Sequence, residues 1–279
     1  MRRKFESSSR GEAIRKVPRA GGTLGDGVSE GIPRAYPSPC ATGAPCPRGI
    51  LARVSGLHHD WGTAPYDEVH RLQARLVLLR AERRVPNLLL TGEHPPVITL
   101  GRRTPPGAAY PPGIPVVAIE RGGEATWHGP GQLVAYPIVH LTEARRDLHA
   151  FQRDLEEIGI RTLADLGVEG YRHAPHTGVW AAGRKVMSLG IAVRRWVTWH
   201  GLALNVDPDL STFRAFHPCG LSGAVMTSLS EVLGRPVEVR EAREALLRHA
   251  DALLPGGPFV PGPLPLGGED GGPPPPATG

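Results

Sequence analysis

Lysine is almost missing from this chain. Of its 32 basic residues only Lys4, Lys16 and Lys185 are lysines, and the first two lie close to the N-terminus. Arginine keeps its proton in any protein environment, whereas a buried lysine can release one and serve as a base. Lys185, kept inside the apolar run 179–193 of a sequence that otherwise uses arginine, is therefore a candidate for chemistry. Cysteine is as scarce: Cys40 and Cys46 belong to the N-terminal segment, and Cys219 is the third. Three such cysteines cannot build a disulfide framework, which favours a reducing cytoplasm as the location. No run of 18 apolar residues occurs, so no helical membrane span is expected. Excess charge in the body of the chain is missing too. The first 50 residues hold nine Lys or Arg against four Asp or Glu, which accounts for the whole net charge of +5. The rest is close to neutral, and that argues against a nucleic-acid-binding domain.

Glycine and proline are plentiful, 36 and 30 of 279 residues, and they crowd towards both ends. Residues 1–52 and 255–279 offer too little apolar surface to offset their ordering entropy and read as disordered tails. The Arg- and Ser-rich start fits a transit-like segment or an over-extended gene start equally well, and it lacks the apolar core of a secretory signal. Residues 53–254 remain as one domain. Within it, apolar positions three and four apart predict helices over 65–84, where Val69, Leu72, Leu76 and Leu79 share a face, and over 146–166, with Leu148, Phe151, Leu155 and Ile158. Further helices are expected over 226–233 and 239–254. Short apolar runs bounded by Gly or Pro predict strands at 88–91, 97–100, 116–119 and 132–141. Three more, at 178–182, 185–193 and 197–206, form an antiparallel meander turning at Gly183-Arg184. The fold class is α+β, a mixed sheet flanked by helices.

Two segments can carry chemistry. The run Glu120-Arg-Gly-Gly-Glu-Ala-Thr-Trp-His-Gly-Pro-Gly-Gln132 joins two strands and is dense enough in glycine to let backbone approach a ligand, with Arg121, Thr126 and His128 to orient it. It matches neither a Walker A loop nor a dinucleotide fingerprint. Cys219 sits between Pro218 and Gly220, a bend that presents the thiol from a loop. A free thiol is mostly protonated at neutral pH, and a nearby amine favours the thiolate as an ion pair. The histidines, including the pair His173 and His176 and the adjacent His58-His59, show no zinc-site spacing and read as surface or loop residues, so no metal is expected.

The motifs Glu93-His-Pro-Pro-Val-Ile-Thr-Leu-Gly101, Arg121 to Ile138, Gly178-Val-Trp, Arg184-Lys185, Ser188-Leu-Gly190, His200-Gly-Leu-Ala-Leu-Asn-Val206 and Pro218-Cys-Gly-Leu221 occur in this order. Together they resemble the lipoyl(octanoyl) transferases over residues 55–254. The resemblance implies a catalytic fold shared with biotin and lipoate protein ligases, and acyltransferase activity without a cofactor. It implies transfer of an octanoyl group from octanoyl-acyl carrier protein to one lysine of lipoyl domains, those of 2-oxoacid dehydrogenase E2 subunits and of the glycine cleavage H protein. By resemblance Cys219 carries the acyl thioester and Lys185 lowers the thiol pKa. Substrate contacts are implied at Arg121, Gly122, Gly123, Glu124, Ala125, Thr126, Trp127 and His128, at Ser188, Leu189 and Gly190, and at Gly201, Leu202 and Ala203. Trp127 stands where Tyr is common and Met187 where a small residue is common, so both are expected to reshape the acyl pocket. Lys185 or His128 would take the proton of the acceptor lysine. An ATP-dependent ligase of the same fold and a non-enzymatic carrier-binding module remain as alternatives.

Overall fold

A computed structural model of the chain describes residues 15–16, 56–216 and 222–266. Its centre is an eight-stranded mixed sheet. In chain order it takes up β2 (Gly56–Thr63), β3 (Leu88–Glu93), β7 (Gln132–Ile138), β8 (Tyr171–His173), β9 (His176–Ala181), β10 (Arg184–Arg194), β11 (Val197–Asn205) and β12 (Phe259–Pro261). The spatial order is β12-β2-β3-β7-β11-β10-β9-β8, parallel at β12–β2–β3 and antiparallel from β3 onward. A smaller sheet, ordered β1-β5-β4-β6, combines β1 (Arg15–Lys16), β4 (Val97–Leu100), β5 (Val116–Ala118) and β6 (Thr126–His128).

Period-two alternation in the strands divides the core into two faces. Leu88 and Leu90 of β3, with Val134, Tyr136 and Ile138 of β7, pack against helix α1 (Tyr66–Ala81) through Val69, Leu76 and Val77. Leu89, Leu133 and Ala135 point the other way, onto α2 (Leu148–Asp165) and α5 (Val239–Leu253). The expected faces of α1 and α2 are present, with one exception. Leu148 is exposed because the helix begins there, capped by Asp147, and Phe151 is the first residue to reach the sheet. The meander β9-β10-β11 is as the sequence predicts, with a turn shifted by one residue: Ala182 and Gly183 both take positive φ, the geometry of a two-residue type I′ hairpin. The helix expected over 226–233 shortens to α4 (Leu229–Leu233), because Met226 bridges instead to Lys185. A short helix, α3 (Ser211–Arg214), precedes it.

The C-terminal boundary expected at residue 254 needs correction. β12 joins the sheet beside β2, with Gly262 N–H donating to His58 O and Gly56 N–H to Pro258 O, and the buried Phe259 ring covers Gly56. One aromatic and a backbone ladder suffice to order a segment whose composition is mostly Gly and Pro. The expectations for residues 1–52 and 267–279 lie outside the described residues, apart from β1. Among the described residues no helix is long and apolar enough to cross a membrane.

Phe259→Ala removes the side chain that seals the β2 edge and should destabilise the protein by about 3–5 kcal/mol in urea denaturation, the usual cost of deleting a buried aromatic. A loss well under 1 kcal/mol (that is, far below this range) would show that β12 is not part of the cooperative core.

Candidate active site

The two sheets meet over a half-open cleft whose free space, solvent at its mouth included, is about 380 Å³. Its floor is the β10–β11 pair, with Ser188, Leu189 and Gly190 facing His200, Gly201, Leu202 and Ala203 across the ladder. Its other walls come from Tyr66, Tyr136, Arg121, Thr126 and His128. Gly190 and Gly201 are directly paired, and both are required by close approaches. A Cβ on Gly190 would lie 2.7 Å from Arg121 Cδ, and one on Gly201 would lie 2.2 Å from Ala135 O.

The Gly-rich loop is wrapped around a buried guanidinium. Arg121 Nη1 donates to Gly122 O and Glu124 O, while Nη2 donates to Thr99 O and Thr99 Oγ1, at 2.7–3.0 Å. Arg121 thus reaches the cleft while clamping the loop to β4. Gly122, Gly123, Glu124 and Ala125, expected as substrate contacts, form the wrapped backbone and do not line the cleft. Trp127 does not line it either. Alternation in β6 turns Thr126 and His128 towards the cleft and Trp127 away, edge-on to Phe213 at 5.3 Å in a separate apolar cluster. Met187 is likewise no wall of the pocket, for it is fully buried against Gly159 of α2.

A cluster of buried imidazoles surrounds the cleft, and only part of it was legible in the sequence. His94 Nδ1–H donates to Ala64 O at 2.8 Å, which leaves Nε2 to accept from the Tyr136 hydroxyl at 3.0 Å. His128 Nδ1–H donates to Gln132 Oε1 at 2.7 Å, so Nε2 keeps its lone pair; both tautomers follow from the partners. Burial depresses their pKa values, to about 4 for His94 and about 3 for His128, the latter helped by the proximity of His94. Burial, more than the neighbouring His70 and Arg121, pushes His200 well below its ordinary value. Tyr66, Tyr136 and His200 were missed as cleft residues because they come from three distant elements. His58, expected at the surface, is buried and bonded to Thr91 Oγ1. His173 and His176 do sit at the exposed β8–β9 hairpin, stacked at 6.0 Å.

A chain of hydrogen bonds between amide groups runs from His128 to Lys185. Gln132 Nε2 donates to Asn205 Oδ1, Asn205 Nδ2 donates to Thr227 O, and Thr227 N–H donates to Lys185 O. Lys185 itself is buried, only 3% exposed, at the register slip of β10. Gly178 makes room for it: its φ is +122°, and an added Cβ would sit 2.8 Å from Lys185 Cε and 2.4 Å from Met187 O. The backbone N–H of Gly178 is fixed by the buried carboxylate of Glu156, which Arg153 and Arg172 also hold. Cys219 lies outside the described residues. The chain on either side of it is anchored, at Phe216 in the cluster around Phe213 and at Gly223 against Phe213 O, before Met226 bridges to Lys185.

This architecture is that of lipoate-protein ligases. A lipoate-protein ligase A bound with ATP superimposes with TM-score 0.60 at 17% identity, covering 74% of this chain and 89% of that one. The bipartite lipoate protein ligase of Thermoplasma acidophilum gives 0.59 at 17%, covering 75% and 87%. The profile of the lipoyl protein ligase A/B catalytic domain matches residues 65–251, and the chain belongs to that family. Its relatives within the family are octanoyltransferases. That of Syntrophotalea carbinolica is 47% identical over 195 residues, 70% of this chain and 92% of the relative; that of Geobacter sulfurreducens is 48% identical over 187 residues, 67% and 80%. The chain is accordingly an acyltransferase of the lipoyl(octanoyl) transferase type.

The buried histidines make stability depend on pH. Each is neutral in the folded state and takes up a proton near its ordinary value of 6.5 when unfolded, so the unfolded chain binds more protons below 6.5 and stability falls as pH falls. Urea midpoints should drop steadily from pH 6.5 towards pH 5, above the ordinary carboxylate range, and His94→Gln should flatten the slope. A level profile across that interval in the wild type would contradict the burial of neutral imidazoles.

Proposed function

We propose that the chain passes an octanoyl group from the thioester of an acyl carrier protein, through Cys219, to a lysine of a lipoyl domain. The observation that carries this reading is Lys185, a buried amine whose backbone is bridged by Met226 and Thr227, just past Cys219 in the chain. The resemblance to lipoyl(octanoyl) transferases implies a thiol near that amine, and octanoyltransferase relatives of 43–49% identity support the acyl group.

The first half-reaction forms the bond between Cys219 sulfur and the octanoyl carbonyl and breaks the bond to the carrier's thiol, which leaves with the proton. One thioester replaces another, so no nucleotide is consumed. The Lys185 ammonium favours the attacking thiolate as an ion pair. In the second half-reaction the acceptor amine attacks the same carbonyl, an amide forms and Cys219 leaves as thiolate. An ammonium cannot attack, so the acceptor lysine first gives one proton to solvent, and the second, released from its nitrogen as the amide forms, must be taken up by a base. His128 is a poor candidate for that proton, since its pKa of about 3 leaves it without basicity at neutral pH. It serves better as a fixed acceptor at the cleft wall, and Lys185 takes the base role.

Single-turnover assays with Lys185→Arg and Lys185→Ala separate the two halves. Arginine keeps the positive charge and cannot give up a proton, so Lys185→Arg should form thioester yet slow acceptor acylation by about 10²–10⁴-fold, the range for lost general-base catalysis. Lys185→Ala should impair both steps. Unchanged acceptor acylation in Lys185→Arg would remove Lys185 from the base role, and a requirement for ATP in the wild type would favour the ligase alternative.

A further inference from the structure

Beside the cleft, three side chains from unrelated parts of the chain converge. His70 comes from α1, Glu120 from the loop after β5 and His200 from β11, and one donor atom from each lies within 4.8 Å of the others. His70 Nε2 is 3.1 Å from Glu120 Oε2, and His200 Nε2 is 4.0 Å from the same oxygen. A hydrogen bond between His70 and Glu120 satisfies that pair alone. His200, only 2% exposed, aims Nε2 at the carboxylate and has no hydrogen-bond partner, and His70 Nδ1 is also buried without one. Buried polar atoms in native proteins are normally satisfied. His200 is moreover held in place: its φ is +55°, a left-handed conformation uncommon for non-glycine residues, and its backbone N–H donates to Gln73 Oε1, one turn along α1 from His70.

We propose that His70, Glu120 and His200 form a binding site for a divalent first-row transition metal, with zinc as the type ion, in the wall of the acyl cleft. Two imidazoles and one carboxylate form a donor set suited to zinc, and metal–ligand bonds of about 2.1 Å place neighbouring ligands roughly 3.4 Å apart. The observed 3.1 and 4.0 Å to Glu120 lie on either side of that spacing and all three donors are within 4.8 Å of one another, so side-chain adjustments of about an ångström complete it. Glu120 is 30% exposed and gives the ion a path from solvent. Three protein ligands leave a fourth position for water, as in open rather than purely structural sites. The chemistry also selects the metal. Calcium takes six to eight oxygens, and magnesium likewise prefers oxygen and water, whereas this set offers one carboxylate. His200 lines the cleft, so the ion lies beside the acyl-transfer site without belonging to the thiol–amine chemistry.

The full chain, treated with chelator and dialysed, is titrated with Zn²⁺ by calorimetry, and a second sample with Co²⁺ is followed by visible absorption. One equivalent of Zn²⁺ should bind at micromolar or lower concentration. His70→Gln and His200→Gln should each weaken binding at least tenfold, with far-UV circular dichroism unchanged, while His173→Ala with His176→Ala leaves it intact. Co²⁺ should show the visible bands of nitrogen and oxygen ligation without thiolate charge-transfer bands, a readout on the wild type that does not depend on the variants folding. Absence of uptake, uptake retained in the His70→Gln, His200→Gln double variant, loss on removing the surface pair, or thiolate bands that place the ion on a cysteine would each overturn the proposal.

Discussion

Gln132 and Asn205 face each other at paired positions of β7 and β11, and their carboxamides are bonded at 2.9 Å in a fully buried setting. Much of the site is connected through this contact. Gln132 orients His128 and reaches back to Trp127 O, which sets the end of the Gly-rich loop. Asn205 holds Thr227 O, and Thr227 in turn holds the strand that carries Lys185. Buried polar networks of this kind are favourable only when complete, because each orphaned donor or acceptor costs about 1–3 kcal/mol. The small sheet, the cleft floor and the segment following Cys219 are therefore set in one arrangement rather than adjusted separately.

A second constraint is space. Three glycines stand where backbone or side chains come too close for a Cβ: Gly190 under Arg121, Gly201 against Ala135 and Gly178 beside Lys185. Two of them open the floor of the cleft and the third fixes where the amine can lie. Around that opening the imidazoles are neutral, kept so by desolvation more than by any partner. A cleft whose histidines are uncharged suits an uncharged acyl chain.

Much of this was legible beforehand. The two long helices, the meander and most strands follow from periodicity, because each buries one regular face. Lys185, Thr126, His128, Ser188, Leu189 and Gly201 could be named from the motifs and their resemblance to a family. The rest was hidden for physical reasons. Period-two alternation in β6 sends Trp127 away from the cleft, but a three-residue strand inside a Gly-rich loop leaves no periodic signal. β12 looked like tail, since its order rests on one Phe and a backbone ladder. Tyr66, Tyr136 and the His70, Glu120 and His200 trio are brought together by the packing of helix, loop and sheet, across separations that no local pattern records.

The central claim is that the acyl group rests covalently on Cys219 between donor and acceptor. Intact-mass analysis of the full chain after incubation with octanoyl-acyl carrier protein, without ATP and without acceptor, tests it most directly. The account predicts a single octanoyl adduct that peptide mapping assigns to Cys219, that is absent from Cys219→Ala, and that disappears when lipoyl domain is added. ATP-free acyl transfer by Cys219→Ala, or an adduct mapped to another residue, would contradict it.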